Sequence, residues 1–267
     1  VERDKVSDFL KETKLSGMNV TIPYKKTVMD ACVSLSETAR KMGCVNTLVK
    51  EADGWHGYNT DYYGFCALVR KSGIAIAGKK VLVLGSGGAS NTVCRAVEDM
   101  NAREVRVISR SGEDNYTNLD KHADAEIIVN TTPVGMYPNN GKSPVDLALF
   151  PKLEGVLDVI YNPARTAFML QAEELGIKNA GGLYMLTAQA KRSSELFTAK
   201  AVDDKEIDRI TDILSSGMRN IILIGMPGCG KSEIGKLVAE QTGRRFIDAD
   251  AAIEESAGCS IPEIFDK

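Results

Sequence analysis

Three short segments near the start of the chain could support proton chemistry: GMNVTIPYKK (17–26), GCVNTLV (43–49) and GYNTDYYGF (57–65). Each joins a turn former to uncharged hydrogen-bonding side chains, and Lys25 and Asp61 stand among them. Reactions that deliver a proton to oxygen pass through a stage in which negative charge builds on that oxygen. An ammonium nearby can stabilise that charge and then donate the proton, while a carboxylate positions the ammonium. A purely structural ion pair is the alternative reading of the same two residues. Two glycine loops add nucleotide chemistry. In VLVLGSGGAS, Gly85, Gly87 and Gly88, with Ser86 and Ala89, follow an apolar run and precede a helical one. Bare backbone there can approach a pyrophosphate, whose charge the helix N-terminus stabilises. Ser90 replaces the third glycine of the usual pattern, and a tight strand-to-helix turn would also explain the cluster. The following run ends in Ser109, Arg110 and Ser111 rather than in a carboxylate. A carboxylate would repel a 2′-phosphate and Arg110 can pair with one, which favours NADP over NAD. As a solvated loop charge, Arg110 would carry no such meaning. The second loop, GMPGCGKS (225–232), fits G-x-x-x-x-G-K-[ST] without departure. Gly225, Gly228 and Gly230 shape a cradle for ATP phosphates, Lys231 reaches them, and Ser232 serves Mg²⁺.

The elements that must hold these residues are legible in the apolar pattern. The runs KKVLVLG (79–85), EVRVISR (104–110), EIIVNTT (126–132) and GVLDVIY (155–161) are spaced by helix-length segments, such as Ala89 to Met100. That spacing predicts buried parallel strands with crossover helices in a doubly wound α/β unit. Residues 1–66 read as mixed α/β, and Met185 to Phe197 as a helix. After a polar stretch and the Ser215-Ser216-Gly217 helix end, NIILIG (220–225) predicts the first strand of another α/β unit. A net charge of -3 over 267 residues argues against a nucleic-acid partner. No apolar run approaches the roughly 18 residues of a membrane helix. The six cysteines lack C-x-x-C spacing and there are two histidines, so a zinc site is not expected. Reduced thiols and a cytoplasmic compartment are.

The three front segments, together with NTTPVGM (130–136), DVIYNP (158–163) and GGLYMLTAQA (181–190), resemble the shikimate dehydrogenases. The likeness runs in order from about residue 15 to 200. It implies NADPH-dependent reversible reduction of 3-dehydroshikimate to shikimate, a step in the synthesis of chorismate and the aromatic amino acids. The implied fold has two α/β domains around a cleft: a substrate domain (1–66 and 186–216) and a Rossmann-like NADP domain (67–185). Lys25 and Asp61 correspond to the family's catalytic pair. Thr21, Asn46, Tyr161 and Gln189 match residues that hold the substrate's hydroxyls and carboxylate, Gly182 and Met185 residues close to the nicotinamide, and Thr131 the loop lining its pocket. Taken without the resemblance, Tyr161 reads as a boundary tyrosine and Asn46 as a turn residue.

From residue 219 onward the chain resembles the opening of a shikimate kinase, a P-loop α/β domain. The likeness implies that Asp248, in RRFIDAD (244–250), assists Mg²⁺ and that Asp250 binds shikimate hydroxyls. By family comparison the front of the substrate domain and most of the kinase are absent, so no kinase activity is expected of this polypeptide. A multifunctional enzyme with small-molecule substrates follows as the leading expectation. A kinase as the main activity, or a quinate/shikimate dehydrogenase, is the alternative.

Overall fold

Between Lys80 and Ala180, five runs form one parallel sheet in the computed structural model, which describes Glu2 and residues 5–265. Val1, Arg3, Asp4, Asp266 and Lys267, at the outer limits of the expected first and last domains, lie outside the described residues. The strands are β5 (Lys80–Leu84), β6 (Glu104–Ile108), β7 (Ile127–Asn130), β8 (Gly155–Asp158) and β9 (Lys178–Ala180), in the order β6-β5-β7-β8-β9. Every residue of β5, β7 and β8 is buried, which explains why these runs lack polar alternation. The short β9, Lys-Asn-Ala, has neither β-branched nor aromatic residues and gave no strand signal.

The front of the chain builds a second, mixed sheet. Strands β1 (Gly17–Asn19), β2 (Cys32–Leu35), β3 (Thr47–Glu51) and β4 (Gly54–Tyr58) lie in the order β1-β3-β4-β2, with only β2 and β4 parallel. Leu48 and Trp55 pack there against Val6 and Leu10 of helix α1 (Val6–Glu12) and Ala39 of helix α2 (Glu37–Met42).

Helices α3 (Asp61–Ser72) and α6 (Leu183–Thr198) join the two sheets. Phe65 and Leu68 of α3, Met185 of α6, and Val93 and Val97 of α4 (Gly88–Asp99) share one core with Val81, Val83 and Val129. Burying each such side chain contributes about 1.5–3 kcal/mol. The opposite face of the parallel sheet, with Leu82, Leu84 and Ile128, is covered by Phe168 and Ala172 of α5 (Ala167–Glu174).

The polar stretch after α6 is helix α7 (Lys205–Met218). It runs through Ser215-Ser216-Gly217 rather than ending there, because its apolar stripe of Ile207, Ile210 and Leu214 continues at helical spacing. Lys191 of α6 is nearly buried, 2.8 Å from both Glu195 and Asp204. Among the described residues no helix is long and apolar enough to cross a membrane.

Residues 219–267 form a separate compact unit. It contains α8 (Lys231–Thr242), α9 (Ala249–Ala257) and α10 (Ile261–Phe265). The expected strand at 220–225 is not formed, and neither is one in RRFIDAD. Neither run forms a ladder, because a strand requires a neighbouring backbone to pair with and neither run meets one among the described residues. Ile222 and Ile224 are consequently 80% and 89% exposed.

Two outcomes follow from this packing. A Cβ on Gly64 would stand 2.6 Å from the carbonyl oxygen of Met185 and 3.2 Å from Cβ of Gln189. Alanine gains about 1 kcal/mol of helix propensity over glycine, but a backbone carbonyl cannot swing aside as a side chain can. Gly64→Ala is therefore expected to destabilise by about 1–3 kcal/mol, read from urea unfolding; an unchanged midpoint would mean the two helices separate freely. The second outcome concerns Glu195. Burial alone would raise its pKa, but Lys191, the amide of Val202 and Arg192 hold it at about 2, below its ordinary 4.5. A carboxylate with a depressed folded pKa stabilises the fold above its unfolded pKa, and the contribution fades as pH falls toward the folded value. Glu195→Gln is expected to flatten the fall in melting temperature between those two pH values, and an undiminished fall would assign the acid sensitivity elsewhere.

Candidate active site

Lys25 lies in the loop after β1, where its carbonyl accepts from the amide of Val45 at 2.8 Å. Asp61 opens α3, where exposed helix amides favour negative charge. The Lys25 Nζ donates to Asp61 Oδ2 at 2.6 Å, with the two side chains 25% and 13% exposed. The pair is thus sheltered yet open enough for a ligand to reach.

Beside it, Asn46 is fixed by what its amide oxygen accepts: Thr60 N at 2.8 Å and Thr47 Oγ1 at 3.1 Å. Its Nδ2 donates to Thr60 Oγ1 at 3.1 Å and faces Gln189 Oε1 at 3.5 Å, across the gap from the second sheet to α6. The Asn59 Oδ1 caps α3 by accepting from the amide of Tyr62, and its Nδ2 donates to the carbonyl of Cys44. The fold therefore joins Lys25 to Asp61 and Asn46 to Gln189. Thr21 and Tyr161 are exposed on loops, without a described side-chain bond to either pair. Tyr161 follows β8, whose last residue, Asp158, is wholly buried. Burial pushes the Asp158 carboxyl up, against the donors Ile160 N, Thr166 Oγ1 and Asn130 Nδ2 at 3.0, 2.7 and 3.1 Å. These bonds fix the turn from which Tyr161 projects.

The first glycine loop joins β5 to α4. Gly85 has φ +102°, and a Cβ there would press on Thr131 Oγ1 and Thr132 Cγ2 at 3.0 Å. Thr131 in turn donates to the carbonyl of Leu84 at 2.6 Å. A Cβ on Gly87 or Gly88 would meet nothing within 4 Å, so the loop leaves open space at the N-terminus of α4. Ser86 is exposed in this loop, Ala89 half-buried, and Ser109 buried at the end of β6. Arg110 is exposed, and no carboxylate among the described residues pairs with it. A bare backbone cradle, a helix N-terminus and an uncommitted guanidinium suit a dinucleotide with an extra phosphate. Gly182 packs against the carbonyl of Val159, and its amide donates to Ile160 O at 2.9 Å. Met185 is buried in the core, with its own carbonyl and Cγ against Gly64.

In the C-terminal unit, Lys231 Nζ donates to the carbonyls of Gly225 and Met226, each at 2.8 Å. Gly228 and Gly230 both have positive φ. Asp248 caps α9 through the amides of Asp250 and Ala251, while Ser232 and Asp250 are exposed. All four polar residues, Lys231, Ser232, Asp248 and Asp250, line an open hollow of about 660 Å³ floored by Ile221, Leu223 and Phe246.

Four contributors to the site carried no separate sequence signal. Asn19, Thr47 and Thr60 sit inside the three front segments but were not distinguishable from turn residues there. Ser193, one of a serine pair on α6, offered nothing to mark it until the fold placed it beside Thr47.

Both ends of the chain resemble known proteins. Residues 1–48 match the family model of the shikimate dehydrogenase substrate binding domain, and residues 227–267 that of shikimate kinase. Shikimate dehydrogenase (NADP(+)) of Clostridium perfringens (strain 13 / Type A) is 33% identical over 222 residues, 78% of this chain and 82% of that protein. The chorismate mutase/shikimate 5-dehydrogenase fusion protein of Clostridium acetobutylicum superposes with a TM-score of 0.78 at 38% identity, covering 82% of this chain and 86% of that one. Shikimate 5-dehydrogenase of Thermus thermophilus, solved with NADP(H) and shikimate, gives 0.71 at 29% identity, covering 80% and 85%. With most of the length of such relatives matched in sequence and in fold, the chain belongs to the shikimate dehydrogenase family and carries behind it a segment of shikimate kinase type.

Proposed function

We propose that the chain reduces 3-dehydroshikimate reversibly to shikimate with NADPH. The reading rests on the 2.6 Å contact between Lys25 and Asp61, set beside the Asn46–Gln189 pair. When bound, NADPH supplies the hydride. Gly85, Ser86, Gly87, Gly88 and Ala89 would hold its pyrophosphate, Ser109 and Arg110 its 2′-phosphate, and Thr131, Gly182 and Met185 would border the nicotinamide.

The chain's own residues then handle charge and protons. Lys25 hydrogen-bonds the ketone oxygen, opposes the negative charge that develops there, and donates its proton as the C–O bond becomes single. Asp61 holds the ammonium in line and helps it recover a proton from solvent afterwards. Asn46 and Gln189 fix the ring hydroxyls, with Thr21 and Tyr161 completing the substrate's polar contacts. In the oxidative direction Lys25, unprotonated, takes up the hydroxyl proton.

In the C-terminal unit, Gly225, Gly228, Gly230 and Lys231 are read as a cradle for ATP, and Ser232 with Asp248 as Mg²⁺ ligands. Asp250 is read as a contact to shikimate. The cap that Asp248 already makes leaves one of its two carboxylate oxygens for a metal.

Lys25→Ala is expected to lower turnover about 10²–10⁴-fold while NADPH affinity, read by fluorescence titration, stays within a small factor. A parallel loss of NADPH affinity would place the lysine at the cofactor instead. Arg110→Ala is expected to weaken NADPH about 10–100-fold, as loss of a charge-assisted hydrogen bond implies, and to leave NADH unaffected. Equal effects on both dinucleotides would remove Arg110 from the phosphate. Assays of shikimate and quinate, each with NADP and NAD, test the substrate and cofactor assignments together.

A further inference from the structure

Asn46 can turn either end of its amide toward the pocket, and which end it shows decides whether it recognises a donor or an acceptor. The surrounding bonds settle the matter. If the amide were reversed, its NH₂ would confront the Thr60 N–H, now 2.8 Å from Oδ1. The oxygen therefore faces inward and Nδ2 faces Gln189 and the pocket.

Thr60 N donates to that oxygen while Thr60 Oγ1 accepts from Nδ2 at 3.1 Å, so the second donor to the oxygen is the hydroxyl of Thr47. Thr47 Oγ1 receives Asn19 Nδ2 at 3.1 Å and lies 3.0 Å from Ser193 Oγ. With those two partners as donors, the one proton of Thr47 has Asn46 Oδ1 as its acceptor. Ser193 Oγ also takes Asn19 Nδ2 at 3.0 Å and lies 3.2 Å from Thr60 Oγ1. Asn46, Thr47, Thr60 and Ser193 are each no more than 5% exposed, so water does not substitute freely for a missing partner.

We infer that Ser193, on α6 four residues after Gln189, is a positioning residue for substrate recognition. It orients Thr47, which holds the Asn46 oxygen, so that Asn46 presents the Nδ2 hydrogen not taken by Thr60 to a ligand oxygen beside Gln189. The ligand class it suits is a polyhydroxylated ring with an oxygen free to accept, as in shikimate. This deepens the proposed reaction and rests on it.

The test uses the full chain. Ser193→Ala is expected to raise KM for shikimate about three- to tenfold, the worth of one hydrogen bond, while KM for NADP and kcat change little. Ser193→Thr, which keeps the hydroxyl, is expected to restore it. An unchanged shikimate KM in a folded Ser193→Ala protein overturns the inference, as does a joint rise in both KM values, which would mark general loosening. Should that variant not accumulate, Thr47→Val removes the same relay at its next member and is expected to show the same split; an unchanged KM there overturns it equally. Titration calorimetry with shikimate repeats the comparison without turnover. An unmodified chain that binds shikimate but does not oxidise it would sink the oxidoreductase reading alone, leaving the positioning role to be judged on the calorimetric difference.

Discussion

Helices α3 and α6 touch at Gly64, where the absence of a side chain lets one backbone rest on the other. One end of α3 carries Thr60 and Asp61, and the facing part of α6 carries Gln189 and Ser193. The distance between groups from opposite ends of the chain is therefore set by a helix crossing rather than by flexible loops. Contacts such as Asn46 to Gln189, 143 residues apart in sequence, exist because this crossing is tight. The same crossing packs Phe65 and Leu68 into the core of the parallel sheet, so site geometry and fold stability share their support.

Around that crossing the molecule places uncharged hydrogen-bonding groups where charge would be costly. Buried polar groups in an environment poor in water weaken a fold unless each has a partner. Thr47, Thr60 and Ser193 satisfy one another, and Asn130, Thr166 and Asp158 do so at the end of β8. The Lys25–Asp61 pair brings charge to the site, where each ion offsets the other at short range and part of each side chain still meets solvent. That division suits a pocket for a ligand rich in hydroxyls.

The parallel sheet was legible from its apolar runs because β5, β7 and β8 are buried on both faces. Helix α6 was legible from its composition, and the expected span 185–197 falls within the observed Leu183–Thr198. The front sheet was readable only as mixed α/β, since its strands are three to five residues long and half exposed. The strand expected at 220–225 failed for the opposite reason: its sequence has strong β character, but pairing is a property of two backbones and one run cannot supply it. Lys25 and Asp61 could be named from residue type and motif, whereas their approach to 2.6 Å needed the fold. Ser193 was illegible because serine on a helix has many meanings, and only its neighbours select one.

Trp55 is the chain's single tryptophan. It lies in β4, 5% exposed, its indole N–H bonded to the carbonyl of Leu10 at 2.8 Å, with Lys50 Nζ 5.4 Å from the ring centre. Ultraviolet emission excited at the red edge of protein absorption thus originates from the front sheet alone. A shift of that emission reports loosening of the layer that carries Lys25 and Asn46. Rearrangement of the parallel sheet or of residues 219–267 stays dark to it and needs the tyrosines or an added label.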